Sequence, residues 1–122
     1  MNNHSIELSP EHLKRTPGEI LRAEMKKAGI EPPLLALKTG FTAPFIWLLL
    51  ADKRPIKSAT AIRLTEAMPF GPLPEQWLAY QSRFDLLRDR TVSSMVAGGT
   101  DETQAKGWFQ NQRSRLVATT AA

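Results

Sequence analysis

The sequence predicts an all-α protein, and two observations support that prediction. Apolar residues recur at intervals of three and four in several segments that begin at N-cap residues or prolines and end at glycines. No segment shows the strict apolar–polar alternation of a half-buried β-strand. The 122 residues suit one domain. We expect five helices within residues 16–90, an N-terminal arm at 1–15, and a linker and C-terminal tail with a short helix at 91–122.

The first helix has the most strongly marked start in the chain. Thr16 and Glu19 have the spacing of a capping box, in which each side chain accepts a hydrogen bond from the other residue's backbone N–H. Pro17 fits the first helical position, where no N–H is needed. Apolar residues then recur at helical spacing until Gly29, which ends the helix.

Two short helices follow, joined by a tight turn. The second helix begins at Pro32, because proline is tolerated in a first turn. Gly40 is free to adopt the positive φ of a turn, and Thr42 is a good N-cap for the third helix. The third helix ends at the basic loop Asp52-Lys53-Arg54-Pro55. A fourth helix is expected over about residues 58–68, and a fifth from about Pro74 to Arg90.

The positive charge is concentrated in the N-terminal half. The chain carries a net charge of +4, and the segment 11–63 holds ten Lys and Arg residues against five acidic ones. A basic segment indicates an anionic partner such as nucleic acid. The alternative is a solvated basic surface without a partner.

Several functional classes have no support in the composition. There is no cysteine, and His4 and His12 lie outside any cluster with metal-ligand spacing, so we expect no metal and no cofactor. No Ser–His or carboxylate arrangement indicates an enzyme. The longest apolar run, residues 43–51, is far shorter than the ~18 residues of a membrane span. The N-terminus lacks the pattern of a secretory signal, and we expect a cytoplasmic protein.

Three stretches resemble the HigA-type antitoxins of the lambda-repressor-like helix-turn-helix family. They are TPGEILRAEM at 16–25, KRPIKSATAIRLTEAM at 53–68 and PEQWLAYQSRFDL at 74–86. They occur in the family's order and cover residues 16–90. The resemblance implies a five-helix lambda-repressor-like domain with a C-terminal extension. It further implies a homodimer that binds a cognate toxin protein and represses its own promoter by binding double-stranded operator DNA.

The same resemblance assigns the DNA-binding residues by position. They lie in the third helix and the basic loop after it: Thr42, Ala43, Pro44, Phe45, Trp47, Leu48, Lys53, Arg54 and Lys57. The family usually has polar residues at most of positions 43–48, and a glutamine where this chain has Pro32.

The apolar character of the third helix therefore leaves three interpretations open. If Ile46, Leu49 and Leu50 form the core face, the outward surface consists of Pro44, Phe45, Trp47 and Leu48. In the first interpretation this surface contacts thymine methyl groups in the major groove. In the second it is covered by a protein, which is the toxin, a second copy or the chain's own tail. In the third interpretation the helix is core in a rearranged fold. The alternative function is an interaction module that no longer reads DNA.

The tail contains a motif, WFQNQRSR at 108–115, that looks like the reading helix of a homeodomain. That pattern would place Asn111 on an adenine, but a homeodomain also needs two preceding helices packed on Trp108 and Phe109. We expect instead a short amphipathic helix that packs on the domain or a partner. Arg113 and Arg115 are candidates for additional phosphate contacts.

Overall fold

The computed structural model describes residues 6–120, and within them the chain is entirely helical apart from its connections. No strand is present in this range, which confirms the all-α prediction. A 3-10 helix, His12–Lys14, precedes six α-helices. These are α1 (Pro17–Ala28), α2 (Pro32–Thr39), α3 (Ala43–Leu50), α4 (Ser58–Ala67), α5 (Pro74–Ala97) and α6 (Glu102–Thr120).

The start of α1 has both bonds of the predicted capping box. The Thr16 N–H donates to Glu19 Oε1 at 2.8 Å, and the Glu19 N–H donates to Thr16 Oγ1 at 3.1 Å. Gly18 has a separate, tertiary role. A Cβ at this position would lie 2.8 Å from the Leu49 carbonyl oxygen and closer still to that of Leu50. The N-terminus of α1 therefore packs directly on the C-terminus of α3, where only glycine fits.

The turn between α2 and α3 has the predicted chemistry. Gly40 adopts φ 79°, and the Thr42 hydroxyl accepts a hydrogen bond from the Phe45 N–H at 3.3 Å. The two helices differ in direction by 114°. Arg63 of α4 donates to the Thr39 carbonyl oxygen at 2.7 Å and so holds the turn against the domain.

The main hydrophobic core is formed by α1, α2, α3, α4 and the first part of α5. Its largest fully buried side chain is Trp77 of α5. Around it lie buried residues from the other helices, which include Leu21, Leu35, Ile46 and Leu64. Each of the five predicted helices contributes to this core, as their apolar spacing indicated.

The prediction of a linker from residue 91 is wrong. Helix α5 continues to Ala97, and α6 has 19 residues where a short helix was expected. The two helices form an antiparallel hairpin with its own core, which includes Val92, Ala105 and Phe109. Five residues suggested the linker: Ser93, Ser94, Gly98, Gly99 and Thr100. The two serines lie on the exposed face of α5, and the other three fall in the short connection between α5 and α6. Packing of an apolar face outweighs weak helix propensity at exposed positions.

Residues 6–15 are not a free arm. The Ser9 N–H donates to the Tyr80 hydroxyl oxygen at 3.0 Å. His12 is buried, and its ring lies perpendicular to that of Tyr80 with the centroids 5.6 Å apart. His12 therefore has an ordered environment that its position near the N-terminus did not indicate. His4 lies outside the described residues.

The lengths and composition of the helices bear on membrane insertion. Within residues 6–120 no single helix is both long and apolar enough to cross a membrane. Helices α2 and α3 would together be long and apolar enough, but the chain bends by 114° between them.

Candidate nucleic-acid interface around helix α3

Helix α3 buries the face that its sequence predicted. Ile46, Leu49 and Leu50 are buried in the main core. Their spacing of three and four residues places them on one side of the helix. Because this side packs on α1 and α2, the remaining sides of α3 are available for other contacts.

The outward side chains of α3 form an apolar ridge, which consists of Pro44, Phe45, Trp47 and Leu48. Trp47 is 52% exposed, and Pro44 is exposed as well. Phe45 and Leu48 are half-buried, so the ridge is less prominent than the helical wheel predicted. Phe45 packs against Phe41 of the preceding turn, with ring centroids 5.0 Å apart. Thr42, exposed, and Ala43, half-buried, complete the predicted set at the start of α3.

A cation borders this ridge. The guanidinium carbon of Arg22, on α1, lies 6.0 Å from the centre of the Trp47 ring. An arginine at this distance from an indole face has a favourable cation–π interaction. Arg22 thus places positive charge next to the exposed indole, although no sequence pattern indicated that it belongs to the site.

The loop after α3 exposes three cations: Lys53, Arg54 and Lys57. Their side chains form no ion pair and no hydrogen bond with any part of the chain between residues 6 and 120. Lys57 is the N-cap of α4, and no side chain caps that helix end. Exposed cations and free helical N–H groups are the usual protein partners of phosphate oxygens.

Asp52 determines the electrostatics of this loop, because its negative charge is directed inward. The Gly18 N–H donates to its Oδ1 at 2.7 Å, and Arg113 Nε donates to its Oδ2 at 2.8 Å. The Asp52 side chain is almost fully buried. The carboxylate is therefore balanced by Arg113 and by the N-terminus of α1, and it does not neutralise the exposed cations beside it.

The same ion pair changes the expected role of the tail. Arg113 was a candidate for phosphate contacts, but its guanidinium is paired with Asp52. Arg115 remains exposed on α6. Gln110 donates to the Ala51 carbonyl oxygen at 2.9 Å, so α6 also contacts the end of α3.

The tail nevertheless leaves the ridge uncovered. Trp47 stays exposed although α6 is in place. The homeodomain-like motif also has a structural explanation, since Phe109 is buried against Phe84 with centroids 5.5 Å apart. Asn111 is exposed on α6.

Sequence reasoning missed the residues that hold this surface in position. Besides Asp52 they include Gln81, whose Oε1 accepts from the Ile56 N–H at 2.9 Å and so fixes the end of the basic loop. Pro32 is buried and offers no polar side chain. These partners are far apart in the sequence, so periodicity carries no signal for them.

Within residues 6–120 no group of three or more histidine and acidic residues is arranged to hold a metal ion. Comparison of the sequence with models of known protein families found no matching family, and comparison with curated proteins found no match.

Proposed function

We propose that the protein binds double-stranded DNA through α2 and α3, as a helix-turn-helix regulator. The observation that carries the proposal is the geometry of these two helices together with the cations that follow them. A three-residue turn containing Gly40 joins the helices, and their directions differ by 114°. Helix-turn-helix motifs have such turns and angles of about 90–120°.

The basic loop supplies the affinity for the phosphate backbone. Lys53, Arg54 and Lys57 follow α3 directly and have no partner in the part of the chain that the structure describes. Neutralisation of phosphates releases counterions and provides most of the sequence-independent affinity for DNA. Asp52 does not reduce this affinity, because its carboxylate is directed inward and paired with Arg113 rather than exposed to the phosphates.

Base contacts of this surface would be mainly apolar. Between Ala43 and Leu50 the indole N–H of Trp47 is the one side-chain donor of α3, and the helix has no side-chain acceptor for base edges. Apolar side chains recognise the C5-methyl group of thymine in the major groove. The proposal thus implies a preference for thymine-containing sites and a large non-specific component of binding.

Within this proposal, the resemblance to HigA-type antitoxins suggests the physiological role. The protein would repress its own promoter as a homodimer and neutralise a toxin by direct contact. Co-expression with the product of the neighbouring gene tests the second part, because an antitoxin should restore growth that the toxin alone arrests. Continued growth arrest would reject the antitoxin role and leave DNA binding untouched.

DNA binding is tested by fluorescence anisotropy with the DNA upstream of the protein's own gene, measured over a range of salt concentrations. The double variant Lys53→Ala/Arg54→Ala should weaken binding to all sequences alike. It should also reduce the slope of log affinity against log salt by about two at most. The control variant Arg83→Ala/Lys106→Ala removes the same charge from α5 and α6 and should leave the slope unchanged. An equal effect of both variants would show that the loop does not contact the backbone.

A second candidate function follows from the exposure of Trp47. A solvent-exposed indole within an apolar ridge is typical of protein interfaces, and Leu34 and Leu37 on α2 are exposed as well. In this alternative the ridge binds a protein and the domain no longer reads DNA. The variant Trp47→Ala should retain the fold, since the side chain is half exposed. Loss of operator binding alone supports the DNA-reading helix, whereas loss of toxin or dimer contact alone supports the interaction module.

A further inference from the structure

A second site lies on another part of the molecule, between the N-terminal segment and the α5–α6 hairpin. It is a cleft of about 280 Å³. This volume is near the lower end of the range for small-molecule pockets, about 300–1,000 Å³, so it suits a small organic molecule. The cleft is lined by three arginines, Arg15, Arg83 and Arg90, and by apolar side chains that include Phe84 and Val117.

The charge of this cleft is strongly one-sided. None of its lining residues carries a carboxylate. Glu24 is not a lining residue but contacts one, because it accepts a hydrogen bond from His12 Nε2 at 2.6 Å. Even with Glu24 counted, the three guanidinium groups leave an excess of positive charge. Such an excess in a partly enclosed cleft attracts an anion.

One of the guanidinium groups is held in place before any ligand arrives. Arg15 Nη1 lies 3.0 Å from His12 Nδ1. Because a guanidinium can only donate, Nδ1 must accept and Nε2 must carry the proton that Glu24 accepts. This chain of hydrogen bonds, buried at His12 and Glu24, fixes the position of Arg15. The other N–H groups of Arg15 form no hydrogen bond with the described residues. A donor fixed in advance loses little entropy on binding.

The other two arginines lie on one stripe of α5. Arg83, Leu87 and Arg90 are separated by four and three residues, so they share a face of the helix. Arg83 and Arg90 form no ion pair with the described residues and are exposed. The stripe thus alternates cation, apolar side chain and cation. This combination matches a ligand with one anionic group and an apolar body.

We propose that this cleft binds a small amphiphilic anion. Its charged group would pair with Arg15 and with at least one of the two α5 arginines, Arg83 and Arg90. Its apolar body would pack against Phe84, Leu87 and Val117. The site does not include α3 or the basic loop, and the proposal does not depend on DNA binding. It assigns a ligand-binding role to the N-terminal segment, which closes one side of the cleft.

The test is a titration of the isotope-labelled full chain, followed by the chemical shifts of its backbone amides. Octanoate is the probe, 1-octanol is its uncharged counterpart, and inorganic phosphate carries charge without an apolar body. Octanoate should saturate and shift the amides around Leu13, Phe84 and Leu87, whereas 1-octanol and phosphate should bind at least about tenfold more weakly. Equal binding of octanoate and 1-octanol, or shifts centred on α2 and α3, would overturn the proposal.

Variants then test the arginines one at a time. Arg83→Gln and Arg90→Gln should each weaken octanoate binding by about threefold to tenfold, because partly exposed ion pairs are screened by solvent. Arg83→Lys should retain part of the affinity. Arg88→Gln, which removes the same charge from α5 outside this cleft, should bind octanoate like the parent protein. Arg15→Gln should weaken binding at least as much, because Arg15 is held in place by His12. If Arg15→Gln, Arg83→Gln and Arg90→Gln all bind octanoate like the parent, the arginines have no role and the proposal fails.

Discussion

Replacement of Gly18 by alanine tests the packing of α1 on α3. An isolated helix would gain from this change, because alanine has a higher helix propensity than glycine by about 0.5–1 kcal/mol. In the folded protein the new Cβ would lie 2.8 Å from the Leu49 carbonyl oxygen. Carbon–oxygen contacts are usually no shorter than about 3.3 Å, so α1 must move by at least about half an ångström.

The cost of that movement has two parts. Overpacking of a tight contact typically costs about 1–3 kcal/mol. The movement also strains the hydrogen bond of 2.7 Å from the Gly18 N–H to Asp52, and hydrogen bonds to charged groups contribute about 1.5–3 kcal/mol. After subtraction of the gain in propensity, Gly18→Ala should lower the free energy of unfolding by about 2–4 kcal/mol.

Urea denaturation followed by far-UV circular dichroism measures this change. The matched control is Gly107→Ala, in the middle of α6, where a Cβ would have no neighbouring atom within 4 Å. It should raise the free energy of unfolding by about 0.5–1 kcal/mol, through propensity alone. The two identical substitutions should therefore have opposite signs. A Gly18→Ala variant as stable as the parent would refute the close approach of α1 and α3.

Two further predictions concern the attachment of α6. Phe109→Ala should destabilise the protein by about 3–5 kcal/mol and expose the α6 amides to hydrogen exchange, because Phe109 is buried in the hairpin core. Trp108→Ala should cost much less, since Trp108 is 40% exposed; equal costs would contradict this packing. Asp52→Ala should cost about 3–5 kcal/mol in the same urea assay, because it leaves Arg113 and the Gly18 N–H without their buried partner. Asp52→Asn should cost less, since asparagine tolerates the positive φ of 58° and can still accept from Gly18; the reverse order would contradict the assigned hydrogen bonds.

Features that depend on neighbours within about four residues could be predicted from the sequence. The capping box of Thr16 and Glu19 is local, and so is the choice of Ile46, Leu49 and Leu50 as the buried face of α3. The exposed position of Trp47 follows from the same periodicity, and that of Lys53 and Arg54 follows from their charge in a loop. Helix formation and amphipathicity are determined over one or two turns, and the sequence of those turns contains the necessary information.

The tertiary structure alone decided the features that join distant segments. Gly18 and Asp52 are 34 residues apart, and Asp52 and Arg113 are 61 apart. No local pattern indicates that the charge of Asp52 is directed inward, that α6 is long and packed on α5, or that His12 is buried against Glu24. A buried ion pair or a close backbone contact depends on where the fold brings two segments together. The sequence by itself therefore determined the first four helices, the start of the fifth and the basic loop. The packing of the helices determined the length of the C-terminal hairpin and which charges remain available for a partner.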